Sequence, residues 1–407
     1  MPALQTIRLG IATKKVLPIT FFLFLTGFFF FPAANLHKLF FYVAVLPPFL
    51  LTLSRTDISQ LFGSRLAIVC LLYWLYSFLT ISWNPETDAA DVGKHLLRLI
   101  NTAGFFGIVL HLVRKEPGYD RMLLKWLCWI AAGSAFFSII YFYIGHSFPR
   151  VRLQNCCSLQ HPILGASAYG LTAVIGYYHF IFAPDRNRRG LYLFIFLILL
   201  ADMLLTQSRG PLLALVTALG AGEMARKNVK LMAALGGVGI GYLLLLYFDV
   251  IELSRFFTRN NLFSYRLEIW RMTWEKILTA PWFGHGINSD ETVLLSVGQY
   301  AQHAHNAYLA SLLYGGLVGG LLLLAICLVS LVEGLKQAHH DRPQVLYLAM
   351  PVFGFVCMLT DGNQLLTNPQ PLWLYFWFPI ALLAAREPSR RTRQHQAKRG
   401  SDSIPHS

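Results

Sequence analysis

One polar stretch, residues 249–305, of an otherwise apolar chain carries Arg255, Arg259, Arg266, Arg271, His303 and His305 among its basic side chains. A guanidinium presents a planar fork of donors that matches phosphate or carboxylate, so this arginine cluster is first a candidate anion site. A neutral imidazole accepts a proton near neutral pH, which suits His303 or His305 to act on a hydroxyl held beside that anion. The plainer reading of each histidine is a helix-start residue bonded to backbone. The HxH spacing also admits zinc, but a third ligand would have to come from His285 or a distant carboxylate, and no metal or other cofactor is expected. A further arginine, Arg209, stands in Thr206–Gly210 (TQSRG), between two apolar segments. A cation there needs a partner, either a bound anion or Asp202 on the preceding segment.

These residues must be positioned by a membrane scaffold. Of 407 residues 55% are hydrophobic and only 13% charged, with a mean hydropathy of +0.50, which exceeds what a soluble core needs. Apolar runs of about 17 to 25 residues recur, the length that crosses hydrocarbon as helix rather than as barrel strand. The fold class is therefore all-α: a polytopic membrane protein of about twelve transmembrane helices. The spans fall near residues 16–32, 37–53, 66–83, 95–113, 122–145, 162–183, 190–206, 210–225, 230–248, 306–332, 344–361 and 371–385. Residues 1–385 form a single membrane domain, with the 249–305 loop between the ninth and tenth spans. Residues 386–407 form a polar, basic tail expected to be disordered.

Basic residues are retained on the cytoplasmic side of short loops, which places both termini inside. Only eleven of the 34 lysines and arginines then lie on the outer side. The net charge of +14 is mostly this inward bias, so no nucleic-acid partner is implied. No cleavable signal is evident at the aromatic first span. Of the outer cations, Lys38, Lys94, Arg98 and Lys276 sit at span ends or on a polar face, where snorkelling accounts for them. The other seven, Arg150, Arg152, Arg209, Arg255, Arg259, Arg266 and Arg271, are all arginine. Cys70, Cys128, Cys327 and Cys357 read as small apolar residues within spans, and the adjacent Cys156 and Cys157 are not expected to form a structural disulfide.

Tyr265–Leu278 (YRLEIWRMTWEKIL) has helical periodicity, with Leu267, Trp270, Trp274, Ile277 and Leu278 on one face and Arg266 and Arg271 flanking it. Such a helix lies at the membrane surface, either holding Arg266 against an anion or merely anchored by its tryptophans with snorkelling arginines. Pro281 stops it, and the glycines of Trp282–Gly286 (WFGHG) permit tight turning. Gly315, Gly316, Gly319 and Gly320, early in the tenth span, read as close-packing positions.

Three ordered motifs carry a resemblance. SRG at Ser208–Gly210, R-x3-W at Arg266–Trp270 running on to Pro281, Gly284 and Gly286, and HNAYL at His305–Leu309 with a following Leu-x-x-Gly pattern resemble the membrane O-antigen ligase and polymerase superfamily. The motifs span about residues 200–330, and the twelve-span layout agrees over the full length. The resemblance implies a GT-C-like architecture and an inverting, metal-independent glycosyl transfer at the periplasmic face of the bacterial inner membrane. The donor would be a polysaccharide on undecaprenyl diphosphate, and in the ligases the acceptor is the lipid A core oligosaccharide. It further implies that Arg209 and Arg266 engage the lipid diphosphate. His305 would be the base, chosen over His303 because Asn306 and Tyr308 follow it in the family's order. Arg271, Arg255, Arg259, His303, Asn306 and Tyr308 complete the expected substrate-binding set. The alternative within the superfamily is a polysaccharide polymerase. A protein O-oligosaccharyltransferase is disfavoured by the short tail. Outside the superfamily, a polysaccharide or small-anion transporter is disfavoured by the clustering of the distinctive residues at one mouth.

Overall fold

The computed structural model describes residues 16–54, 63–228, 262–290, 292–296, 298 and 300–387. In chain order the helices are α1 (Val16–Gly27), α2 (Ala34–Thr52), α3 (Arg65–Leu79), α4 (Ala89–Lys115), α5 (Tyr119–Ile144) and α6 (Pro162–Ile181). They continue with α7 (Arg186–Leu205), α8 (Arg209–Ala225), α9 (Leu262–Thr279), α10 (Ala307–His340), α11 (Leu346–Thr360) and α12 (Trp373–Arg386). Six helical segments are long and apolar enough to cross a membrane: Ala34–Thr52, Arg65–Trp83, Ala89–Lys115, Tyr119–Ile144, Ala307–His340 and Arg342–Thr360. A helix occupies every other segment read as a span except 230–248, which lies outside the described residues, as do Arg255 and Arg259. The large loop is not purely helical, because Val293–Leu294 pairs antiparallel with Tyr300–Ala301 in a short hairpin beside α9.

The helices are ordered by buried aromatics and by polar groups paired at their ends. Phe24, Phe41, Phe105 and Trp373 interlock in the core, with ring centroids from 4.8 to 6.2 Å apart. At the end where α5 and α3 begin and α12 finishes, Arg386 pairs with Asp120 at 2.5 Å, and Glu387 accepts from the Arg65 and Leu66 amides at 2.8 and 3.0 Å. The loops 84–88, 146–161, 280–306 and 361–372 gather at the opposite end. That is the end the basic-residue count assigns to the outside.

One break in α10 explains several glycines at once. Gly316 leaves helical geometry (φ 58°, ψ −157°), and the WFGHG loop enters the gap. There His285 N–H donates to Leu313 O at 2.8 Å, Gly286 N–H to Tyr314 O at 2.9 Å, and Leu317 N–H to Pro281 O at 2.8 Å. Backbone groups freed by a broken helix must find partners elsewhere, and this loop supplies them. Gly316 is thus more than a packing position. Gly284, at φ 72°, has no room for a side chain, since a Cβ would lie 2.5 Å from the Gly316 nitrogen. Gly284→Ala is expected to cost at least about 1–3 kcal/mol from backbone strain alone and to lower the thermal midpoint of the solubilised protein. An unchanged midpoint would contradict this account of the break.

Candidate active site

The HAHNAYL motif folds as a left-handed turn into the start of α10. Asn306 caps that helix, its Oδ1 accepting from Tyr308 N–H at 3.0 Å and Leu309 N–H at 3.1 Å. Tyr308 turns inward, and its hydroxyl donates to Phe355 O at 3.0 Å. Asn306 through its Oδ1 and Tyr308 through its hydroxyl, both expected among the substrate-binding residues, thus help to hold the turn. His305 precedes the cap at φ 48°, a conformation that costs a non-glycine residue energy and persists where surrounding contacts impose it. Its amide donates to His303 Nδ1 at 3.2 Å, and the two rings lie 3.8 Å apart.

The His305 ring is bonded to a carboxylate rather than to backbone. Its Nδ1 lies 3.0 Å from Asp361 Oδ1, at the end of α11. That pairing assigns the proton to Nδ1 and leaves Nε2 with a free lone pair. The His305 side chain is 35% exposed and that of Asp361 16%, so the base-forming atom is reachable while its partner is sheltered. Burial alone would raise the Asp361 carboxyl. The hydrogen bond from His305 and the charges of His305, His303 and Arg266 outweigh it and hold the carboxyl below its ordinary value. Burial, with the charge of His305, lowers the His303 imidazole against the opposing pull of Asp361.

A carboxyl lowered in the folded state stabilises the protein above the ordinary carboxylate range, and that contribution is lost as pH falls through the folded value. The stability gap between wild type and Asp361→Asn should be flat from neutrality to about pH 4 and shrink below it. Thermal midpoints across that range check the sign, and a gap independent of pH would contradict it.

Helix α9 brings Arg266 to this pair. Trp270, one turn on, donates its indole N–H to Ala304 O at 3.0 Å, fastening the helix to the HAH turn. Arg266 is half-buried and near enough to Asp361 and His303 for their charges to be felt. Burial lowers its guanidinium and Asp361 opposes that shift. The spacing R-x3-W therefore places the anchor and the functional cation on one face.

The rest of α9 departs from the expected face. Ile269, Thr273 and Ile277 are buried, whereas Leu267, Trp274 and Leu278 are exposed. An apolar stripe that meets lipid carries the same periodic signal as one that meets protein, so the periodicity merged two faces. Arg271 lies 3.7 Å from Glu275 on the exposed surface. His285, the possible third zinc ligand, has Nε2 2.8 Å from Lys276 O and 3.1 Å from Thr279 Oγ1, at the end of α9.

The SRG corner sits one residue from the site on two sides. Gly210 packs on Thr360, which precedes Asp361, and Ser208 Oγ donates at 3.2 Å to Pro162 O, which follows His161. Gln207 takes φ 52° to make so short a connection between α7 and α8. Arg152 braces this corner, donating to Thr206 O at 2.6 Å and Ser208 Oγ at 2.9 Å. Arg209 itself opens α8 with its side chain exposed. Asp202, offered as its counter-ion, is fully buried and accepts instead from Asn155 at 3.3 Å. Arg150 is exposed on the bracing loop.

A cavity of about 700 Å³ opens at the His305–Asp361 pair. His161, His303 and Asp361 form part of its wall, and Lys38, Lys94, His95 and Arg98 another part. Snorkelling is thus not a sufficient account of Lys38, Lys94 and Arg98. The N-terminal stretch of α4 turns Lys94, His95 and Arg98 toward the same polar space as His305, and Arg98 donates to Gln364 Oε1 at 2.9 Å. Lys276, by contrast, bonds the backbone oxygen of Asp290.

Much of the remaining wall is the 361–372 segment, with Asn363, Gln364, Asn368 and Gln370 exposed to the cavity. Sequence reading passed over this segment. Its only signal was an amide-rich run, DGNQLLTNPQP, between two spans on the outer side. It is rigidly held: Trp377 Nε1 donates to Leu365 O at 2.9 Å, Trp373 Nε1 to Thr367 Oγ1 at 3.0 Å, and Tyr314 OH to Asn363 Oδ1 at 2.9 Å.

Helical body and site together define an all-α membrane protein with a preorganised, cation-rich pocket at one mouth, able to hold an anion beside a proton acceptor. Residues 194–324 match the family described as O-Antigen ligase. Over 385 residues the chain is 31% identical to the O-antigen ligase of Pseudomonas aeruginosa, covering 92% of this chain and 91% of that protein. The chain belongs to the O-antigen ligase family. The matched segment contains Arg209, Arg266 and His305, whereas Asp361, the amide-rich segment and the cations of α2 and α4 lie beyond it.

Proposed function

We propose that this chain transfers O-antigen polysaccharide from undecaprenyl diphosphate to the lipid A core oligosaccharide, at the periplasmic face of the inner membrane, with both termini cytoplasmic. The observation that carries this reading is the His305–Asp361 pair on the cavity wall, with Arg266 in electrostatic reach.

The acceptor hydroxyl attacks the anomeric carbon of the donor sugar with inversion, and the bond from that carbon to the diphosphate oxygen breaks. His305 Nε2 takes the hydroxyl proton as the new bond forms, and Asp361 holds the ring and stabilises the resulting imidazolium. The electron pair leaves with undecaprenyl diphosphate, whose growing charge is met by fixed guanidinium groups, Arg266 and Arg209. Charge neutralisation by these arginines is the basis for a metal-independent transfer.

The test is stoichiometric. Membranes carrying the chain, supplied with lipid-linked glycan and core acceptor, should release one undecaprenyl diphosphate for each core capped. Release accompanied by longer lipid-linked glycan and uncapped core would make the protein a polymerase. Movement of glycan without any release would make it a transporter.

A further inference from the structure

We infer that Lys38, Lys94 and Arg98 form a second anion subsite, which holds phosphate groups on the acceptor glycan. The inference rests on the ligase reading and names what that reading leaves open, the feature by which the acceptor is held.

The cavity wall carries Lys38, Lys94 and Arg98 as well as His161 and His303, while Arg266, which is not on that wall, is close enough to His303 for its charge to be felt. Lys94 and Arg98 are four residues apart on α4 and so share a face, where like charges repel unless an anion sits between them. The cations outnumber the nearby acids: the charge of Asp91, one turn before Lys94, reaches His95 and Arg98, and one carboxylate offsets only part of Lys38, Lys94 and Arg98. Asp361, the one acid on the cavity wall among the described residues, is bonded to His305, and the nearby Asp91 carboxylate accepts from Asn288 Nδ2 at 2.8 Å. Arg98 is oriented by Gln364, while neither Lys38 nor Lys94 has a hydrogen bond or ion pair among the described residues. Two uncommitted ammonium groups and an oriented guanidinium facing one polar cavity are arranged to take an anion.

The amides of Asn363, Asn368 and Gln370 share the wall, Gln364 being committed to Arg98 and the Ile287 oxygen, and amide groups retain donor and acceptor capacity that suits sugar hydroxyls. Cations and amides together describe a phosphorylated glycan. The donor's diphosphate already has Arg266 and Arg209, and the base stands in the same cavity as the lysines. Lys38, Lys94 and Arg98 are therefore left for the acceptor.

The test is binding, separate from turnover. Lipid-free core oligosaccharide is titrated onto the full-length protein in phosphatidylcholine nanodiscs, intact and after phosphatase treatment, with wild type and Lys38→Gln/Lys94→Gln. Wild type should bind the phosphorylated oligosaccharide about tenfold more tightly than either the variant does or than it binds the treated sugar, and the variant should not distinguish the two sugars. Equal loss on dephosphorylation in both proteins would overturn the inference, as would weakened binding of lipid-linked donor in place of acceptor. Millimolar inorganic phosphate should not displace the oligosaccharide; displacement would reduce the subsite to a general phosphate site and also overturn it. Because no glycosyl transfer is measured, an inactive protein that shows the expected binding would refute the ligase reading alone. In the chain as a ligase, the double variant should raise the KM for phosphorylated acceptor and leave the KM for donor unchanged.

Discussion

Replacing His305 with alanine is expected to lower the rate of core capping by about 10²–10⁴-fold, the usual contribution of a positioned general base. The geometry requires a careful control, because His305 occupies a left-handed backbone conformation and bonds Asp361. An alanine there could loosen the turn as well as remove the base. Asparagine tolerates that conformation and can still donate to Asp361, but it has no basic nitrogen. His305→Asn should therefore fold as the wild type does and be as inactive as His305→Ala. His303→Ala should be milder, since its ring nitrogen accepts from the His305 amide and so supports the turn. If His305→Asn retained wild-type capping at matched membrane expression, a base role for His305 would be untenable.

The second large effect is expected at Arg266. Removing one fixed donor to a developing charge typically costs about 10²–10³-fold in rate, and Arg266→Ala should fall in that range. Arg266→Lys should recover little, because an ammonium keeps the charge but loses the planar fork. Arg271 provides the internal comparison on the same helix. It lies against Glu275 with 74% of its side chain exposed, so Arg271→Ala should stay within about twofold of wild type. Initial rates with purified donor and acceptor separate these cases. Equal losses at Arg266 and Arg271 would mean that general surface charge, rather than a placed guanidinium, drives the reaction.

What the sequence disclosed followed from how local each signal is. The HxH spacing, the SRG corner and R-x3-W are built from neighbours along the chain, and the structure brings His303, His305 and Arg266 together, with the SRG corner one residue away. Asp361 lies 56 residues from His305 and joins it only because α11 ends beside the start of α10. No local spacing records that. Lys38, Lys94 and Arg98 look like ordinary span-end cations one at a time, and their common cavity arises from the assembly of α2, α4 and the 361–372 segment. Six of the apolar runs were legible as membrane-crossing helices because bilayer thickness sets the length such a run needs. The face of α9 was not, since lipid and protein interior reward the same residues. Gly316 was read as packing because a glycine that breaks a helix and one that admits a neighbour look alike in a string.

The most direct test of the central claim, that His305, Arg266 and Arg209 carry out ligation, is made in a strain lacking its own ligase. Wild type, Arg209→Ala, Arg266→Ala and His305→Ala are compared by gel analysis of lipopolysaccharide at matched membrane expression. The wild-type chain should restore the long-chain ladder, and each of the three variants should abolish it. A ladder restored equally well by the variants would contradict the site, and wild type that lengthens lipid-linked glycan without capping the core would contradict the ligase assignment.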